Sequence, residues 1–278
     1  MNLAPARPGA EPLFLASARG PLFAIYHAPA GPARQALLYV HPFGDEMNRS
    51  RRMAALAARR LAADGVAVLQ LDLHGCGDSA GEFADARWDA WLDDLATGCA
   101  WLRTRSGLAP GLWGLRLGAL LALDFARQAA TPPPRLLLWQ PVTGGGAYLT
   151  QLLRLLSAGE MLRAEPARGA QALRTTLLGG TALEVGGYAL APQLAAAIDA
   201  LDAGAMTPPA PVDWFAVGPG ERALSPAAER IAAAWRAAGT PVNLHPVQGP
   251  AFWDSQELVD CPALLAATAA AVREDVHA

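Results

Sequence analysis

The chain has 278 residues, 53% of them hydrophobic and 17% charged, with a formal net charge of −3. That length and apolar content allow a large buried core and exclude disorder as the main state. The mild acidity excludes a nucleic-acid-binding surface over the whole domain. No run approaches the ~20 apolar residues needed to cross a bilayer, so the expectation is a protein that is not transmembrane.

Three cysteines, Cys76, Cys99 and Cys261, are far apart and form no CxxC pair. They read as reduced thiols. The first residues carry Pro, Gly and charges where a signal peptide needs an unbroken apolar segment. A cytoplasmic location is therefore expected.

The opening segments PLFLASA and PLFAIYHAP read as two strands joined through Arg19-Gly20 in a hairpin. QALLYVHP (Gln35–Pro42) is a continuous apolar run, as expected of a strand buried on both faces. A helix over Met47–Asp64 stops at Gly65, and VAVLQLDLHG supplies the next buried strand. A helix over Trp88–Arg105 follows, then a strand at Gly111–Leu115, a helix over Gly118–Gln128 and a strand at Arg135–Val142.

From Thr143 to about Thr207 the alternation stops. Helical segments and Gly-rich turns (TGGG, LLGG, EVGG) take over, with no convincing core strand. PVDWFAV then resumes the sheet, followed by helix Pro226–Ala238, strand PVNLHPV and helix Pro262–Val272. Such alternation predicts an α/β fold with a mostly parallel central sheet and helices on both faces. Residues 143–207 read as a helical cap insertion over the C-terminal strand ends, splitting a core made of 1–142 and 208–278.

Three motifs fall at the ends of successive central strands. They are HPFGDE (His41–Glu46), DLHGCGDSAG (Asp72–Gly81) and G-L-R-L-G (Gly114–Gly118). In this order, with the sheet resuming after the insertion, the chain resembles the α/β-hydrolase superfamily over nearly its full length. The segments HPFGDEMNRSRRM, DLHGCGDSAGEF, WGLRLGA and GPAFWDSQE are similar to the group called exosortase A system-associated hydrolase, type 2. That resemblance implies a bacterial protein linked to exopolysaccharide production and exosortase sorting. It further implies a companion hydrolase, an acyl carrier protein and an acyl ligase acting nearby.

The superfamily's G-x-S-x-G elbow presents a serine at a strand-to-helix turn, activated by histidine and an acid in the chain order nucleophile, acid, histidine. Here Gly114 and Gly118 are kept, but Arg116 stands at the nucleophile position. A guanidinium stays protonated and cannot attack. FAVGPGERALSP matches the acid loop and puts Glu221 at the acid position, with a plain surface carboxylate as the alternative. The loop PVQGPAFWDSQE, where the histidine belongs, contains none; Trp253 lies there and is expected to wall the pocket. His245 lies inside the preceding strand.

HPFG corresponds to the family's oxyanion loop, with backbone N–H groups near Phe43 and at Leu117 aimed at a developing charge. His41 reads as a positioning residue or ligand contact, with a base as the alternative, and Glu46 lies near the same site. No residue set has diagnostic metal-ligand spacing, and no phosphate loop or dinucleotide fingerprint occurs. No metal and no cofactor are therefore expected. Arg49, Arg51 and Arg52 read as solvated helix charge, with docking of an acidic partner such as an acyl carrier protein as the alternative.

Two readings of Arg116 follow. Beside a helix N-terminus it makes an anion site for carboxylate or phosphate; or it pairs internally with Glu221. Two functions follow in turn. One is an ester or thioester hydrolase that works without a triad, through water activated by Glu221, Glu46 or His41. The other is a non-catalytic pseudoenzyme whose cleft binds an anionic small molecule, an acyl group or a protein partner. The incomplete triad favours the second.

Overall fold

Short strand segments of four to seven residues, apolar and buried where they lie at the centre of the sheet, dictate the core of this protein. In the structure, a computed structural model that describes residues 9–162, 168–220 and 224–274, they form one eight-stranded sheet. Its strands in chain order are β1 (Ala10–Leu15), β2 (Leu22–His27), β3 (Gln35–Val40), β4 (Val66–Leu71), β5 (Gly111–Leu115) and β6 (Leu136–Trp139). After an excursion come β9 (Val212–Gly218) and β10 (Val242–Gln248). The spatial order is β1-β2-β4-β3-β5-β6-β9-β10. Only β1–β2 and β2–β4 pair antiparallel; every later pair is parallel.

Two apolar layers cover the sheet. On one face, α1 (Gly44–Ala63) and α8 (Pro262–Glu274) bring Met53, Leu61, Leu264 and Val272 against Leu37, Trp113 and Phe215. On the other face, α2 (Trp88–Ser106), α3 (Leu117–Gln128) and α7 (Pro226–Ala237) bring Trp91, Leu120 and Trp235 against Leu38, Leu112 and Trp214. Helix α1 starts three residues earlier than its apolar period suggests. Phe43 serves as its N-cap in an extended conformation, and Asp45 and Glu46 lie in its first turn, where acidic groups suit the positive end of the helix dipole.

Between β6 and β9 the chain leaves the sheet. It forms α4 (Gly145–Leu162), α5 (Ala170–Leu178), the short strands β7 (Leu183–Val185) and β8 (Tyr188–Leu190), and α6 (Pro192–Asp199). The two strands pair only with each other, through Gly186 and Gly187 at positive φ, so the EVGG turn makes a hairpin outside the main sheet. A bridge between Gly144 and Asp202 and hydrogen bonds Gly145 N–H to Leu201 O (2.8 Å) and Ala203 N–H to Thr143 O (2.8 Å) close the neck of this excursion.

Close backbone approach decides two glycines. A Cβ on Gly118 would sit 2.3 Å from Val40 O and 2.5 Å from His41 O, and one on Gly114 would sit 2.4 Å from Ala119 Cα. These contacts are with backbone, which cannot swing aside. Gly118→Ala is therefore expected to destabilise the fold by about 1–3 kcal/mol. A thermal melt would show this as a fall of about 2–4 °C for each kcal/mol; an unchanged melting temperature would mean that β3 and α3 are not packed this closely.

Candidate functional site

Helix α3 begins directly after β5, so the chain must turn within one residue. That residue, Arg116, has φ 54° and ψ −120°, a conformation costly for a side chain with a Cβ. The turn is held by Arg116 N–H donating to Trp139 O (3.0 Å) and by Arg116 O accepting from Ala119 N–H (3.1 Å) and Val142 N–H (3.2 Å). The fold thus keeps a strained elbow at the C-terminal edge of the sheet and presents an arginine on it.

The guanidinium is held from three sides. Its Nε donates to Glu46 Oε1 at 3.0 Å. Its central carbon lies 5.6 Å from the Trp253 ring centre and 5.9 Å from that of Tyr148, within cation–π range. Tyr148, on α4, donates its hydroxyl to Glu46 Oε2 at 3.2 Å. The side chains of Arg116 and Glu46 are only 13% and 18% exposed, so the pair is poorly screened. Burial pushes the Glu46 carboxyl above its usual range, although Arg116 and the Tyr148 hydroxyl pull it down. Tyr148 is itself raised, by burial and then by the Glu46 charge.

His41, at the end of β3, is 5% exposed and engaged through both ring nitrogens. Nε2 accepts from Leu73 N–H (3.1 Å) and Nδ1 is bonded to Pro42 O, which fixes the Nδ1–H tautomer. Burial holds its pKa low. Tying the β3 loop to the β4 loop is the work this geometry assigns it. Phe43 is buried against Phe83, Trp91 and Tyr148, and Leu117 is the first residue of α3. Trp253 is buried and packs edge-on against Phe252, which in turn packs on Trp139, so aromatic rings fill the loop after β10.

The structure thus brings Arg116, Glu46 and Trp253 together, and places Phe43 and Leu117 at the adjoining helix starts. Glu221 lies outside the described residues. Arg116 takes Glu46 as its ion-pair partner. Sequence reasoning missed Tyr148, because a tyrosine in an Ala-, Gly- and Leu-rich helix carries no signal of what it will meet.

His245 belongs elsewhere. It bonds through Nε2 to Asp213 Oδ1 (2.9 Å) and stacks on Phe215, in a network with Arg135 and Asn243. Ser79 and Cys76 also have structural surroundings. Ser79 Oγ donates to Asp72 O (2.6 Å) and accepts from Phe23 N–H (2.8 Å), and burial pushes the Cys76 thiol up. Asp72 holds its loop by accepting from Asp78 N–H (3.1 Å) and from both Arg51 Nη atoms. Arg49, Arg51 and Arg52, in the first half of α1, are engaged internally: Arg49 with Asp45 and Asp254 O, Arg51 with Asp72, and Arg52 with Asp260.

Residues 31–174 match the family model described as serine aminopeptidase, S33, a span that includes the loop after β3, the elbow and the first part of the excursion. The chain belongs to that family of α/β hydrolases. Solved structures agree on the fold. Est1E from Butyrivibrio proteoclasticus bound to ferulic acid superposes with a TM-score of 0.71 at 16% identity, over 96% of this chain and 100% of that one. A highly thermostable carboxyl esterase from Bacillus coagulans in complex with glycerol gives 0.66 at 12% identity, over 96% and 99%. Proline iminopeptidase from Mycobacterium smegmatis gives 0.58 at 16%, over 96% and 98%. None of the curated proteins matches in sequence. This α/β hydrolase has, among its described residues, no helix long and apolar enough to cross a membrane.

Proposed function

We propose that this α/β hydrolase acts without serine-type catalysis and that its cleft serves as a binding site for an anionic or acyl-bearing ligand. The observation that carries the reading is the Arg116–Glu46 pair at the elbow. Where attack on a carbonyl would begin, a permanently charged group is locked to a carboxylate. Of the three bases considered for a triad-independent route, Glu221 lies outside the described residues and neither of the other two is at liberty. Both nitrogens of His41 are bonded to backbone, and both oxygens of Glu46 accept hydrogen bonds. The setting in an exosortase-linked exopolysaccharide system, beside an acyl carrier protein and a companion hydrolase, rests on the resemblance of the four sequence segments.

An alkyl fluorophosphonate is expected to leave the protein unlabelled, and p-nitrophenyl esters and acyl thioesters are expected to remain at the background rate. Label mapping to Ser79, or turnover that disappears in Glu46→Gln or His41→Gln, would overturn the reading.

A further inference from the structure

We propose that the cleft over Arg116 holds an amphipathic monocarboxylate, its head on the Arg116 Nη donors and its aliphatic tail along α4. The proposal rests on the serine-free reading above, because a reactive elbow would process esters and not retain acids. Two cavities meet at Tyr148 and Gln151, which line both. The smaller, about 260 Å³, contains Arg116 among Gln140, Thr143, Gln151 and Ser225. The larger, about 480 Å³, runs between Leu152, Leu155 and Leu156 of α4 and Val185, Tyr188 and Trp253. One is a polar chamber with Arg116 as its single cation among the described residues, and the other is mainly an apolar trough with Asp45, Glu46, Arg49 and Asp254 also in its lining; together they fit a ligand with one charged end.

The head is read from the arginine. Nε is taken by Glu46, and neither Nη1 nor Nη2 has a protein acceptor among the described residues. Two parallel N–H donors of a guanidinium match the two oxygens of a carboxylate. Gln140 places its Oε1 on Val217 N–H (2.7 Å), which leaves its amide N–H groups as further donors in the same chamber. Charge selects a monoanion. Arg116 already faces Glu46, and the adjoining trough adds Asp45 and Asp254 against Arg49, so among the described residues a dianionic phosphate would meet three carboxylates with two cations to offset them.

The tail is read from α4. Leu152, Leu155 and Leu156 stand at i, i+3 and i+4, one face of the helix. Leu155 is 60% exposed although it lines the trough, which places a large apolar side chain at the rim where an aliphatic chain would enter.

Titration calorimetry on the full chain, with laurate below its micellar concentration, acetate and dodecanol, tests this. Laurate is expected to bind saturably, and acetate and dodecanol each at least tenfold more weakly, since one lacks the tail and the other the charge. Arg116→Gln is expected to weaken laurate at least tenfold, to the level of dodecanol. Leu156→Asp is expected to weaken it as much through the tail. Should either variant fail to melt cooperatively, the three-ligand comparison on the unaltered protein decides. Dodecanol binding as tightly as laurate, or no laurate binding at all, overturns the proposal. Hydrolysis of p-nitrophenyl laurate by the unaltered protein would instead overturn the serine-free reading. Absence of both turnover and laurate binding removes the ligand and leaves that reading in place.

Discussion

Arg116→Ser is expected to restore the G-x-S-x-G pattern and yet give no esterase activity, while losing stability in a pH-dependent way. A serine hydroxyl needs a base to take its proton. His41 has both nitrogens bonded to backbone, His245 is bonded to Asp213, and the loop after β10 carries Phe252 and Trp253 in place of a histidine. Losing the catalytic base of an active triad costs several orders of magnitude in rate, so the new serine should stay near background.

The stability cost comes from Glu46, left buried with only the Tyr148 hydroxyl. Breaking a buried pair at one partner costs about 3–5 kcal/mol, but Glu46 can relieve part of this by binding a proton. Its folded-state pKa, already raised by burial, is expected to rise further without Arg116. A carboxyl whose folded pKa exceeds its unfolded value contributes stability at low pH that is lost as pH rises through the folded value. The variant should therefore fall increasingly below the parent as pH climbs above the unfolded carboxyl range. Arg116→Ser/Glu46→Gln should recover most of the loss. Melting curves of the single and double variants across pH check this; a loss independent of pH would mean that Glu46 is not buried as described.

Asp213→Ala should have the largest effect on folding, about 3–5 kcal/mol, a large share of the 5–15 kcal/mol typical of a domain. Asp213 is 8% exposed on its side chain and bonds Arg135 Nη2 at 2.6 Å, the two linking the start of β6 to the start of β9. Its other oxygen takes Asn243 (3.2 Å) and His245 (2.9 Å) from β10. Removing it takes this carboxylate from a 5%-exposed arginine that also donates to Gln35 Oε1 (3.2 Å) and Ala271 O (3.3 Å). Burial opposes ionisation of Asp213, yet its bonds from His245 and Arg135 win and hold its pKa below the usual carboxylate range. A depressed folded pKa contributes stability above the unfolded value that is lost as pH falls through the folded one. The parent should thus weaken below about pH 4, and Asp213→Asn should remove that part of the slope. Urea unfolding at pH 7 and at pH 3 measures both.

The likeness to esterases and to an iminopeptidase establishes a fold that carries many chemistries. In this α/β hydrolase the strand-to-helix turn is kept down to the strained backbone at residue 116, whereas the side chain it presents is a guanidinium paired with Glu46 and faced by the Trp253 and Tyr148 rings. On the proposed reading, the elbow is separable from the reaction it usually serves.

Some of this was legible in the residues alone. Strands buried on both faces must be continuous apolar runs, so QALLYV, VAVLQL and LLLW announced themselves. Gly114 and Gly118 bracketed the elbow because only glycine allows the strand and helix to come so close. The arginine in G-L-R-L-G and the lack of a histidine in PVQGPAFWDSQE were likewise visible, at positions set by motif spacing. What Arg116 holds was not visible. Glu46 lies 70 residues before it, and Tyr148 enters from the excursion 102 residues after Glu46. Such contacts arise from parallel crossovers that bring the ends of β3, β5 and β6 to one edge of the sheet. Local periodicity records which face of an element is apolar, while the partner of a buried charge depends on which loops that edge gathers together.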